Sequence, residues 1–174
     1  MTTQRRYSGV ATLNHWLAAL LIIAMLVLGL TARYAPERVI RHFIMDVHVG
    51  LGFFVLLFIA WRVGFRLYEG FPPGAQPTVA ERWTAWLVHR ALLAAIALLV
   101  LTGPLAIFTE GEGMDVFGWF TFHLPLDSLS GLHEPMEEFH VILAVYVLPV
   151  LLGLHFLGAF RHYLGARTGM PADL

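Results

Sequence analysis

Nine histidines and no cysteine delimit the chemistry open to this 174-residue chain. Imidazole can ligate a metal, move a proton or hydrogen-bond. The lack of thiols excludes disulfides, iron–sulfur ligation, thiolate metal sites and covalent haem attachment through Cys-x-x-Cys-His. Five histidines, His15, His48, His89, His140 and His155, fall within long apolar stretches. An ionisable group is costly there, so by default it marks a functional site. His140 and His155 share one stretch, fifteen positions apart. On an α-helix that spacing is a rise of ~22 Å and a rotation of about 60°, which aims two imidazoles into neighbouring sectors of one bundle at opposite depths.

The choice of metal follows from what else is nearby. There is no His-Glu-x-x-His motif, and no carboxylate lies within the apolar runs around His15 and His155 or in the run from Phe139 that holds His140. Asp46 stands two residues before His48, on another helix sector. A zinc or non-haem iron site would lack its remaining ligands. A haem iron needs one imidazole on each axial side. Grouped by depth, His15 with His155 and His48 with His140 form two such pairs, the geometry for two stacked b-type haems.

The elements that must position these residues are membrane helices. Hydrophobic residues make up 58% of the chain and charged ones 13%, with a mean hydropathy of +0.71. That is far more apolar than an ordinary soluble domain. The reading is an all-α protein, a single domain over 1–174, with spans at about 11–32, 42–66, 84–108 and 136–163. Each can cross a hydrocarbon core of ~30 Å. Arg5 and Arg6 precede an apolar run without a small-residue cleavage site, so the first span is expected to be an anchor. Glu69 to Pro77 holds Gly70, Pro72, Pro73, Gly74 and Pro77 and is expected to be a turn-rich connector. The stretch from Thr109 to about Pro135 is interrupted by six further glycines or prolines. With its aromatics Phe117, Trp119, Phe120 and Phe122, it is expected to lie on the membrane surface as short helical or irregular structure.

Arginine supplies the orientation, because the chain has no lysine. The termini and the second connector hold eight arginines (5, 6, 62, 66, 82, 90, 161 and 167) against Glu69, Glu81 and Asp173. The opposite side holds Arg33, Arg38 and Arg41 against nine acids: Glu37, Asp46, Glu110, Glu112, Asp115, Asp127, Glu134, Glu137 and Glu138. The positive-inside rule then places both termini in the cytoplasm.

The remaining candidates have less specific roles. His89, beside Arg90 on the third span, is a rival ligand, a propionate partner or part of a quinone pocket. His162 lies seven residues after His155, on nearly the same face, and suits propionates or solvent. Arg62 and Arg66 share a face of the second helix and suit haem propionates or anionic lipid headgroups alike. Gly50 and Gly52 after His48, and Gly153 before His155, leave room for a porphyrin or for a neighbouring helix. His42, His123 and His133 are expected to be solvated surface groups.

His15-Trp16, His48 with Gly52, Arg62 and Arg66, His140 with Gly153-Leu154-His155, and His162-Tyr163 together resemble the bacterial cytochrome b561 family. That family includes a superoxide oxidase and is related to the cytochrome b subunits of nickel-iron hydrogenases. The resemblance covers about residues 7–165. It implies a four-helix bundle with two haems b, electron exchange with ubiquinone in the respiratory chain, and a bacterial inner membrane. By position it assigns His15 and His155 to the cytoplasmic-side haem and His48 and His140 to the periplasmic-side haem. The family's fourth helix has one residue fewer between its ligands, so a π-bulge is expected near Pro149. The family's terminal histidine pair is here Arg161-His162, and the tail is short and poor in basic residues.

Three functions are compatible with these residues. The first is transmembrane electron transfer between the quinone pool and a periplasmic donor, such as a basic redox protein or a dehydrogenase subunit. The second is a superoxide:ubiquinone oxidoreductase, and the third a haem-free membrane anchor. The first leads, because bis-histidine ligation leaves iron no open position and because nine acids on the outer side would repel superoxide. Lipid is an expected partner and nucleic acid is not.

Overall fold

The computed structural model describes residues 9–69 and 79–168; the side chains at 9, 10, 66, 69, 162 and 165–168 lie outside the described ones. The connector expected at 69–77 falls, after residue 69, outside the described residues, as do Arg5, Arg6 and Asp173.

Four apolar segments become four long helical spans. The helices are α1 (Gly9–Tyr34), α2 (Arg38–Glu69), α3 (Val79–Thr109), α4 (His133–Ile142) and α5 (Leu148–Thr168). The last two run on through a π-helical turn at Leu143–Val147 to make the fourth span. The helices outrun the expected spans at both ends, because helical hydrogen bonding continues past the point where apolar composition stops. Three residues, Ala35 to Glu37, turn the chain from α1 into α2, and the Arg41 guanidinium donates to the Ala35 carbonyl at 3.1 Å.

The outside of the bundle is apolar. At most 33% of the most hydrophobic stretch of any span is buried against the rest of the protein. Leu13, Leu20, Trp61, Leu101, Val150 and Leu157 are all exposed. An apolar surface on this scale needs lipid as its solvent, and helices meet that demand because they satisfy their own backbone.

The core is a belt at mid-height. Ala18 and Ile22 of α1, Val55 and Ile59 of α2, Val88, Leu92 and Leu99 of α3, and Leu143 and Leu148 of the fourth span pack together. Sequential helices are neighbours, and α1 meets the fourth span at the π turn. In that turn the Leu148 N–H donates to the Leu143 carbonyl, five residues back. Pro149 explains the location: it has no N–H for the Val145 carbonyl and its ring crowds that carbonyl. The turn absorbs one residue, so His140 and His155 diverge by roughly 40° rather than 60°.

One expectation is corrected. The chain is not purely helical: within the 109–135 stretch, β1 (Met114–Val116) and β2 (Phe120–Phe122) pair antiparallel with Val116 opposite Phe120. A 3-10 helix follows at Asp127–Leu132. The Trp119 N–H donates to the Val116 carbonyl at 3.0 Å across a turn whose central residues, Phe117 (φ 56°) and Gly118 (φ 70°), are both left-handed. That is the turn a hairpin prefers, and Gly118 adopts it freely. Phe117 does not, and is held by packing: its ring lies against α2 where a Cβ on Gly50 would sit 3.0 Å from Phe117 Cε1. Met114 and Val116 are buried beneath, and Phe53 stacks edge-on against Phe120.

Candidate functional site

Two pairs of imidazoles face each other on either side of the apolar belt. At the hairpin end, His48 of α2 and His140 of α4 have ring centroids 6.4 Å apart. At the end that carries both termini, His15 of α1 and His155 of α5 are 6.1 Å apart. With a metal–imidazole bond of about 2 Å and roughly 1 Å from nitrogen to ring centre, two axial imidazoles lie about 6 Å apart. Both separations fit that arrangement.

The hairpin-end pair is tightly seated. Thr102 of α3 is 4% exposed, and its Oγ1 lies 3.2 Å from His140 Nδ1. The next residue, Gly103, gives the ring its space: a Cβ there would meet His140 Cε1 at 3.0 Å and Nδ1 at 3.2 Å. Pro104 follows inside the helix. On the other side, a Cβ on Gly29 of α1 would sit 3.3 Å from His48 Cε1. His48 Nδ1 is buried without a hydrogen-bond partner, a state that costs ~1–3 kcal/mol. A buried imidazole with an orphaned nitrogen, in a cradle kept open by glycine, is a donor set suited to haem b. Among the described residues no cluster of three or more His, Cys, Asp or Glu could hold a bare metal ion.

The other pair is more open and has a third member. His89 of α3 lies 5.3 Å from His155, nearer than His15 and too close for two axial ligands of one iron. Arg62 of α2 donates to Asn14 Oδ1 and approaches His15 Nδ1 at 3.3 Å. Guanidinium has only donors, so Nδ1 is the acceptor in that contact. Trp16 packs edge-on to His15, and the Arg90 guanidinium lies 4.5 Å over the Trp86 ring. Arg161 pairs with Glu81 at 2.7 Å, tying α5 to the start of α3. The side chains of Arg66 and His162 lie outside the described ones.

The other expected positions divide. Gly50 makes room for Phe117, Gly52 faces Met25, and nothing lies within 4 Å of a Cβ on Gly153. The glycines against the paired imidazoles are instead Gly29 and Gly103, which the sequence reading missed. The available signal was a Thr-Gly-Pro run, 102–104, interrupting an otherwise apolar span. His42 and His123 are exposed. His133 is not merely solvated: its Nδ1 lies 3.0 Å from the Ala106 carbonyl, and Glu110 and Glu137 each approach to 3.7 Å, fastening α4 to the end of α3.

Comparison with known proteins gives a consistent picture. The model of a family described as prokaryotic cytochrome b561 matches residues 6–170. Cytochrome b561 homolog 2 of Escherichia coli (strain K12) is 28% identical over 166 residues, spanning 92% of this chain and 86% of that protein.

Proposed function

Because this chain belongs to the prokaryotic cytochrome b561 family, whose members are haem b electron carriers of the bacterial membrane, we propose that it binds two haems b and passes electrons between a periplasmic partner and ubiquinone. One observation carries the reading: two imidazole pairs, at 6.4 and 6.1 Å, flank an apolar belt drawn from all four spans. Haem b supplies one-electron chemistry at each pair when bound. His48 and His140 would hold one group and His15 and His155 the other.

The surrounding residues fix, orient and exclude. Val55, Ile59, Leu99 and Leu143 keep water and ions out of the middle of the bundle. Gly29 and Gly103 admit the hairpin-end rings. At the opposite end, Arg62, Arg66, His89 and His162 are the groups proposed to meet propionates or a quinone headgroup. Trp16, Trp86 and Arg90 beside them supply flat and cationic surfaces for such a ring. His89 suits this supporting role better than axial ligation, given its closeness to His155.

The arginine asymmetry supports termini in the cytoplasm of an inner-membrane protein, with the hairpin facing the periplasm. The acids exposed there, among them Glu134, Glu137 and Glu138 just before His140, favour a basic redox protein or a basic patch on a dehydrogenase subunit. The deciding measurement is the haem-to-protein ratio and visible spectrum of the purified chain. Two low-spin, extractable haems are expected, and a ratio of one or none would overturn the reading.

A further inference from the structure

We infer that Thr102 is a positioning residue for the hairpin-end haem, setting which nitrogen of His140 is free to ligate and how strongly it donates. The inference rests on the two-haem reading above. It starts from the number of protons available. A threonine hydroxyl has one proton and two lone pairs. That proton goes to the Leu98 carbonyl at 2.8 Å, the nearer of two backbone oxygens, Leu99 being 3.4 Å away. The oxygen therefore faces His140 Nδ1, 3.2 Å away, with a lone pair. The contact is favourable only if Nδ1 carries the ring proton and donates it. Nε2 is then the unprotonated nitrogen, the one able to bind iron.

The seat is rigid. Thr102 is 4% exposed and its side chain is bonded back to its own helix. Gly103 brings the α3 backbone close enough that even a methyl group would touch the ring. A hydrogen bond from the distal nitrogen of a ligating histidine fixes its tautomer and raises its basicity. A more basic imidazole favours the ferric state and lowers the potential. His48 has no hydroxyl of this kind: its Nδ1 is buried without a partner, and its ring meets the Met25 backbone instead. The two imidazoles of this pair thus differ in that only His140 also meets a side-chain hydroxyl. At His15 the contact runs in the opposite sense, because Arg62 presents a donor to its Nδ1.

The test is a redox titration of purified holoprotein, followed in the visible spectrum. The hairpin-end component is assigned as the one lost in His48→Ala. Thr102→Val keeps the shape of the side chain and removes the hydroxyl acceptor, leaving the Leu99 backbone beside the ring. It should raise the potential of that component by up to about tenfold in the ferrous/ferric ratio, about 59 mV for one electron, with the other component unmoved. Thr102→Ser should restore both potential and haem content, including in the case where Thr102→Val loses the haem. A Thr102→Val protein with wild-type potentials, an equal shift in both components, or a Thr102→Ser protein that behaves as Thr102→Val would each overturn the inference. A wild-type protein with only one component would instead overturn the two-haem reading, and the inference with it.

Discussion

Each of the four paired histidines is expected to hold one haem, so single substitutions should separate the two. His48→Ala or His140→Ala should lose the hairpin-end haem and leave most of the other, and His15→Ala and His155→Ala should do the reverse. A pyridine haemochrome assay on each variant reads this directly. Loss of a haem on changing His89 but not His15 would instead make His89 the axial partner of His155. The glycines supply a graded companion test. A methyl on Gly103 would meet the His140 ring at 3.0 Å, one on Gly29 the His48 ring at 3.3 Å, and one on Gly153 nothing within 4 Å. Haem retention should therefore fall most in Gly103→Ala, less in Gly29→Ala and not at all in Gly153→Ala; equal retention in all three would show that the rings do not need these seats. The histidines were legible in the sequence because an imidazole in an apolar run has few reasons to be there. Thr102 and Gly103 were not, because small and hydroxyl residues are ordinary in membrane helices and their meaning comes only from the neighbouring helix.

At the scale of elements, the fourth span carries the sharpest expectation. His140 and His155 stand fifteen positions apart, and the π turn at Leu143–Val147 takes up one residue of that count. Deleting the exposed Tyr146 should let the span close into regular α-helix while His140 and His155 keep their relative aim, so both haems should remain. Inserting one alanine after Tyr146 should rotate everything beyond it by about 100° and cost the haem held by His155. Haem loss on deletion, or tolerance of the insertion, would show that the turn does not govern the register. This element could be anticipated because the family resemblance implies one residue fewer between the two histidines and Pro149 marks where an α-helix is hardest to continue. The hairpin could not. Its strands are three residues each, and its turn depends on Phe117 adopting φ 56°, a conformation held by the facing Gly50 rather than chosen by phenylalanine. The four helices themselves were plain from hydropathy, but their ends were not, since helical hydrogen bonds outlast the apolar composition.

Across the whole molecule, the uneven distribution of charge decides which donor can approach. The formal net charge is only −1, yet the hairpin side holds nine acids against three arginines. Glu110, Glu112, Asp115, Asp127, Glu134, Glu137 and Glu138 are exposed around the route to His140. A field of that sign raises the encounter rate of a cation and lowers that of an anion. Superoxide, an anion, should therefore reduce the haems far below the diffusion limit, whereas a basic c-type cytochrome should exchange electrons readily. The second rate should fall as ionic strength rises and the Debye length shrinks from about 30 Å at 0.01 M to about 10 Å at 0.1 M. Neutralising Glu134, Glu137 and Glu138 together to glutamine should flatten that salt dependence, slow the basic partner and speed superoxide, without changing haem content. Stopped-flow traces with each donor at two salt concentrations would measure all of these at once. Rapid, salt-insensitive reduction by superoxide in the unaltered protein would mean that the acidic surface does not control access to the haem edge, and the electron donor would then be the small anion rather than a protein.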